Sequence, residues 1–214
     1  KYGVILYAND FKLDMHPTLG KKPNFKRMEE ISKENVLALV VESTYASDQR
    51  KMPSEQVAKD MLRDVLLDTE NRDNLIIVTT FSSHIARLKA IIEFGKKLNR
   101  KILFLGRSLA KYVKAAEKIG IVGFSKDVDL VKYSRQIERR LKKVDKDRKK
   151  YMLVVTGHQG EHKSVLYKIA KKEFKFNLYP EDNVIFSCRT IPTLTNIANR
   201  EALENDLKQN GVRI

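Results

Sequence analysis

Tyr151-Met152-Leu153-Val154-Val155, continuing into Thr156-Gly157-His158-Gln159-Gly160 and on to Val165-Leu166-Tyr167-Lys168-Ile169, is the stretch whose reading decides the fold. Its first part is apolar without alternation, as in a strand buried on both faces of a parallel sheet. Small and polar residues end that run. Val165, Leu166 and Ile169 then recur at helical spacing. Strand, short turn and helix make the repeating unit of a doubly wound α/β domain.

The same unit recurs outward from there. Short runs rich in Val, Ile and Leu occupy Val4–Ala8, Val36–Val41, Leu75–Val78, Lys101–Leu105 and Asn183–Phe186. Between them lie helical stripes. The first is Val57, Met61, Leu62, Val65 and Leu66, started by Pro53 and Ser54. A second is Ile85, Leu88, Ile92 and Gly95; a third is Leu109, Val113, Ala116 and Gly120, with Gly120 as its C-cap. A further helix is expected across Ile197 to Leu207. Residues 134–150 are charged nearly throughout and read as a solvated helix with a thin apolar stripe of Ile137, Leu141 and Val144. The expected architecture is α/β: a doubly wound, mainly parallel sheet flanked by helices.

Across 214 residues, 42 Lys and Arg against 27 Asp and Glu leave a net charge of +15. Nucleic acid is the commonest partner for such a field, because neutralising phosphates releases counterions; solubility alone is the competing explanation. No apolar run approaches the length of a membrane helix. A single cysteine, Cys188, cannot form an internal disulfide, and no leader peptide is visible, which points to a cytoplasmic location. The chain starts at Lys1 with a strand close behind and ends on Gly211-Val212-Arg213-Ile214, so it is expected to be cut from something longer.

In an open parallel sheet, ligands gather beyond the carboxyl ends of the strands. Those ends here read Glu42-Ser43-Thr44, Thr79-Thr80-Phe81-Ser82-Ser83-His84, Gly106-Arg107-Ser108, Thr156-Gly157-His158-Gln159-Gly160 and Ser187-Cys188-Arg189. Hydroxyls, glycines and a few cations suit phosphate or sugar oxygens. Ordinary helix capping would favour Ser and Thr at the same places. If the ends share a rim, an anionic ligand is the better account of all of them together. His16, His84, His158 and His162 are read as building no local zinc pair, and Cys188 as a buried, inert thiol.

Four segments carry a resemblance. Tyr7-Ala8-Asn9-Asp10-Phe11-Lys12-Leu13-Asp14 is similar to a GDFKxD stretch, and Leu39-Val40-Val41-Glu42-Ser43-Thr44-Tyr45 to an acidic residue followed by Ser-Thr. Thr79-Thr80-Phe81-Ser82-Ser83-His84-Ile85-Ala86-Arg87 is similar to TTFxSxxxR. Val155-Thr156-Gly157-His158-Gln159-Gly160-Glu161, with Ile185-Phe186-Ser187-Cys188-Arg189-Thr190-Ile191-Pro192, resembles the pair VTGxQGE and IFSxxxIP. In this order they resemble the β-CASP metallo-β-lactamase ribonucleases, and among them the ribonuclease J family of archaeal type. Asn9 stands where that pattern has Gly, His162 where it has Pro, and Glu42 where bacterial members often have Asp.

The resemblance implies a zinc-dependent ribonuclease that holds two zinc ions and degrades single-stranded RNA. Decay would run 5′ to 3′ from a 5′-monophosphate, with internal cleavage as well, in a homodimer. It implies that Asp10 is a bridging metal ligand and that Glu42 is the first acid of the β-CASP set, orienting a histidine. RNA contacts would come from Ser43, Thr44, Ser82, His84, Thr156, Gly157, His158, Gln159, Ser187 and Arg189. Residues 1–20 would be a strand or two of the metallo-β-lactamase domain and 21–214 the β-CASP domain. The HxHxDH motif would lie before Lys1 and further motif histidines past Ile214, so the chain by itself is expected to be inactive. Two alternatives stay open: a cleavage-factor-type 3′-end-processing endonuclease, and a non-catalytic RNA-binding β-CASP protein whose zinc ligands have decayed.

Overall fold

A computed structural model describes residues 2–68 and 73–214. The chain divides into two compact units, Lys1–Lys59 and Asp60–Ile214.

In the first unit, β1 (Val4–Ala8) and β2 (Val36–Val41) pair in parallel from Ile5↔Ala38 to Ala8↔Val41, with α1 (Phe25–Ser32) between them in the chain. Asn24 caps α1 by accepting from the Arg27 N–H. This corrects one expectation. The strand leading to Glu42 belongs to a two-stranded sheet with β1 and takes no part in the larger sheet. An unbroken apolar run announces a buried-type strand, but not which partner it pairs with. β1, within residues 1–20, pairs along its length with β2, and the division between the two units falls after Lys59.

Asp14 organises the rest of this unit. Its carboxylate accepts from the N–H groups of Glu55 (2.7 Å) and His16 (2.9 Å). Ser54 Oγ donates to the His16 carbonyl at 2.8 Å, fixing the start of α2 (Glu55–Leu67), in which the division falls. Burial alone would raise the Asp14 pKa. The hydrogen bonds from Glu55, Ser54 and His16 and the charge of Lys12 outweigh that and hold it at about 2.

The second unit is a five-stranded parallel sheet in the order β5-β4-β6-β3-β7. Its strands are β3 (Ile76–Thr79), β4 (Lys101–Leu105), β5 (Val128–Val131), β6 (Tyr151–Val155) and β7 (Asn183–Phe186). Alternate residues of each strand feed opposite faces, as the period of two requires. Ile77, Leu103, Leu105, Leu153 and Val155 join one core with α5 (Ser134–Val144), α6 (Val165–Ala170) and α7 (Leu194–Gln209). Ile76, Val78, Ile102, Phe104, Met152 and Val154 join the other, with Leu62 and Leu66 of α2, α3 (Ile85–Lys97) and α4 (Arg107–Lys118). Helices on both faces make the sheet doubly wound.

The expected stripe on α2 is narrower than its apolar residues suggest, because only Leu62 and Leu66 are buried while Val57, Met61 and Val65 are exposed. On α5 the buried residues are Ile137, Leu141 and Val144, as the thin stripe required. Gly120, at φ +72°, follows the last turn of α4 and donates its N–H to the Glu117 carbonyl. Among the described residues no helix is long and apolar enough to cross a membrane.

Candidate nucleic-acid interface

Strand register brings the carboxyl ends of the sheet to one level. Thr79 is opposite both Val155 and Phe186, and Leu105 is opposite Val155 and Val131. Thr80, Gly106, Thr156 and Ser187 are therefore the next residues along one rim. The backbone ties the level together, with Ser187 N–H donating to the Thr79 carbonyl and Gly106 N–H to the Val131 carbonyl. Thr79 Oγ1 donates to the Val155 carbonyl at 3.0 Å.

Two arginines that were not singled out as site residues brace this rim. Arg87, buried on α3, donates to the Ser187 carbonyl and, at 3.0 Å, to Ser187 Oγ. Arg200, on α7, donates to the His158 carbonyl at 2.8 Å, pairs with Glu204 at 2.6 Å and lies over the Phe186 ring. The signal for Arg87 was available: a cation placed next to Leu88 on an otherwise apolar helix face. Arg200 contacts residues far away in sequence, so no local pattern marks it.

Some expected RNA contacts are already engaged in holding the loops. The Gln159 amide donates to the Arg189 carbonyl (3.0 Å) and accepts from the Ile191 N–H (2.7 Å), so it clamps the loop after β7. The His158 ring is buried edge-on against Phe81, with centroids 3.9 Å apart, and among the described residues neither ring nitrogen finds a hydrogen-bond partner. Burial lowers its pKa, Glu161 (3.8 Å from Nδ1) opposes that shift, and Arg200 reinforces it. Gly157 is buried at φ +123°, pressed against Ser164. His158 and His162 do stand four residues apart, a spacing that binds zinc on a helix. Here they lie in turns, and the His162 ring packs on Tyr167 instead.

Of the other expected contacts, Arg189 is exposed in the loop after β7, and Ser82 and His84 are half-buried beside the start of α3. Thr156 is half-buried and accepts the Val165 N–H at 3.4 Å, so at that one end the capping account holds in part. The true side-chain caps of α6 and α7 are Ser164 and Thr193. Cys188 is half-buried, and desolvation raises its pKa to about 11, leaving a neutral thiol.

Asp10, Glu42, Ser43 and Thr44 are exposed and belong to the first unit, and the strand before Glu42 is not one of the five strands of the larger sheet. Glu42 is held by hydrogen bonds from the hydroxyl and N–H of Thr44, which lower its pKa. Among the described residues no three of His, Cys, Asp or Glu come together as a metal site. A catalytic zinc takes about three protein ligands, so these residues do not by themselves fit one.

The model of the ribonuclease J β-CASP domain matches residues 73–205, within the second unit. The chain belongs to the ribonuclease J family. Ribonuclease J from Pyrococcus abyssi is 41% identical over 212 residues, 99% of this chain and 47% of the relative. Ribonuclease J from Methanocaldococcus jannaschii is 41% identical over 216 residues, covering 48% of its length, and that of Sinorhizobium meliloti 31% identical over 213 residues, covering 35%. The chain thus spans about half the length, or less, of these ribonuclease J relatives.

Proposed function

We propose that this chain is the RNA-holding part of a zinc-dependent ribonuclease, with the single-stranded substrate lying along the rim of the five-stranded sheet. The supporting observation is the common level of the β3, β6 and β7 ends, with Arg189 exposed above Ser187. A guanidinium there can fork onto a phosphate, and the loop amides around it can donate to phosphate oxygens. Ser82, His84 and Thr156 are the side chains assigned to ribose and phosphate; Ser187, buried with its Oγ accepting from Arg87, joins Gln159, Gly157 and His158 in setting the shape of the loops that present them. In this reading the whole protein is cytoplasmic and works as a homodimer. It would run 5′ to 3′ from a monophosphorylated end, with internal cleavage in addition. It uses two zinc ions, to which Asp10 contributes a ligand, and Glu42 is the acid that orients a histidine supplied from elsewhere in the protein. Residues 1–20 belong to the metallo-β-lactamase domain in this account; the pairing of β1 with β2 argues for extending that domain to include β2.

The test is the affinity of the full-length protein for single-stranded RNA. Arg189→Ala should weaken binding by about 1–3 kcal/mol, the range of a charge-assisted contact, with the unfolding midpoint unchanged. Ser187→Ala should act in the same direction and less strongly. Unchanged affinity in both variants removes the rim from the account.

A further inference from the structure

On one side the five-stranded sheet ends at β5, and among the described residues no strand pairs its outer edge. On the opposite side the amino end of β7 is covered: Asn183 bridges to Arg213, and Val184 N–H donates to the Arg213 carbonyl. An open edge presents a row of backbone donors and acceptors, a template for another extended chain. Charge on the strand is one way of blunting such an edge. The single charged residue of β5, Asp129, is instead neutralised by Arg140 at 2.8 Å.

A basic trough takes in β5 and, at its larger end, runs inward past Ile102 and Leu103 of β4 to Tyr151 of β6. One part, about 350 Å³, lies between β5 and α5 and is floored by Leu130 and Val131, with Arg139 and Lys143 on its wall. It shares Asp129, Arg140 and Lys143 with a second part of about 560 Å³, which reaches Lys101 and Lys126 at the amino ends of β4 and β5. The two acids of the trough are already occupied, Asp129 by Arg140 and Asp127 by Lys96 at 2.7 Å. Lys101, Lys126, Arg139 and Lys143 have no carboxylate partner among the described residues. Arg139 and Lys143 also stand one helical turn apart, a spacing at which like charges repel.

We propose that this trough docks an acidic, extended segment of a partner protein, which adds as a strand to the outer edge of β5 and sets its carboxylates against Arg139, Lys143 and Lys126. Only an extended polypeptide satisfies both features at once. Its backbone completes the ladder, and its alternate side chains fall on the basic wall. A second copy of this chain would bring the same cations against themselves. The outer edge of β5 is separated by β4 from the ends of β6, β3 and β7 assigned to RNA. The docking therefore stands whether or not RNA lies on that rim.

The experiment uses the full-length protein and three probes: a peptide of about ten residues alternating Glu with Val, its Lys-for-Glu counterpart, and an oligouridylate of similar length. The Glu peptide should bind and slow amide exchange in Val128–Val131. Arg139→Glu with Lys143→Glu should cut that affinity about tenfold or more, and Lys126→Glu, on a different element, should weaken it independently. All three side chains are exposed, so the unfolding midpoint should not move. Failure of the Glu peptide to bind by about 1 mM overturns the proposal, as does binding that leaves β5 exchange or the charge-reversed variants unaffected. Protection of β5 by oligouridylate would reassign the trough to RNA, and protection that appears with protein concentration alone would reassign it to a second copy.

Discussion

Gly160 is the position where a single methyl group should separate the rim from its support. Its φ is +75°, and a Cβ there would fall 2.6 Å from the backbone N of Arg200, with the Asn199 carbonyl closer still. The obstacle is the backbone of α7, which cannot rotate away as a side-chain tip could. Alanine at positive φ costs about 1–2 kcal/mol, and the reduced freedom of the unfolded chain returns about 0.4–1 kcal/mol. Forcing a methyl into packed backbone adds about 1–3 kcal/mol, so Gly160→Ala should destabilise by about 2–4 kcal/mol in all. Gly120 supplies the control, because its φ is +72° but nothing lies within 4 Å of its Cβ position. Gly120→Ala should therefore cost only about 1 kcal/mol or less, the conformational part alone. Urea unfolding of the 214-residue chain measures both. Gly160→Ala should also weaken RNA binding, since Arg200 donates to the His158 carbonyl in the loop that α7 would be pushed from. Equal destabilisation by the two variants would refute the close approach of the loop to α7, and with it the account of how the rim is braced.

Asp10→Asn in the full-length protein should lower metal content and reduce cleavage by orders of magnitude while RNA binding persists; full metal content with wild-type turnover would make Asp10 a turn residue. Burial lowers the His158 pKa below its ordinary 6.5, so the unfolded state binds the extra proton first. Its contribution to stability is complete above pH 6.5 and is lost as pH falls toward the depressed folded value. The urea midpoint of the wild type should accordingly drop between about pH 7 and pH 5 more than that of His158→Gln, and identical profiles would remove His158 as the cause. RNA affinity of the full-length protein should fall steeply between about 50 and 200 mM salt, and a flat response would leave the +15 charge to solubility.

Most of the fold was legible because its signals are local. β1, β2, β4, β6 and β7 begin and end where their apolar runs do, and the thin stripe on α5 became its buried face. β5 was missed because Val128-Asp129-Leu130-Val131 is short and interrupted by a charge, the pattern of a half-exposed edge strand. α1 is only eight residues long; Phe25, Met28 and Ile31 do recur along it at helical spacing, but none of its residues is buried. The candidate rim was legible as a set of strand ends and no further. Whether Gln159 meets RNA or the loop after β7 depends on Arg189 and Ile191, thirty-odd residues away, and Arg87 meets Ser187 a hundred residues away. Such pairings are set by sheet order, which short apolar runs do not encode; the same gap misplaced the strand that leads to Glu42.

The central claim is that RNA lies along the carboxyl ends of β3, β6 and β7. Photocrosslinking of full-length protein to single-stranded RNA carrying 4-thiouridine, followed by mapping of the attached peptides, tests it most directly. The account predicts adducts in the loops 80–84, 156–161 and 187–191. Adducts concentrated on α5 and the β5 edge, with those loops unmarked, would contradict it.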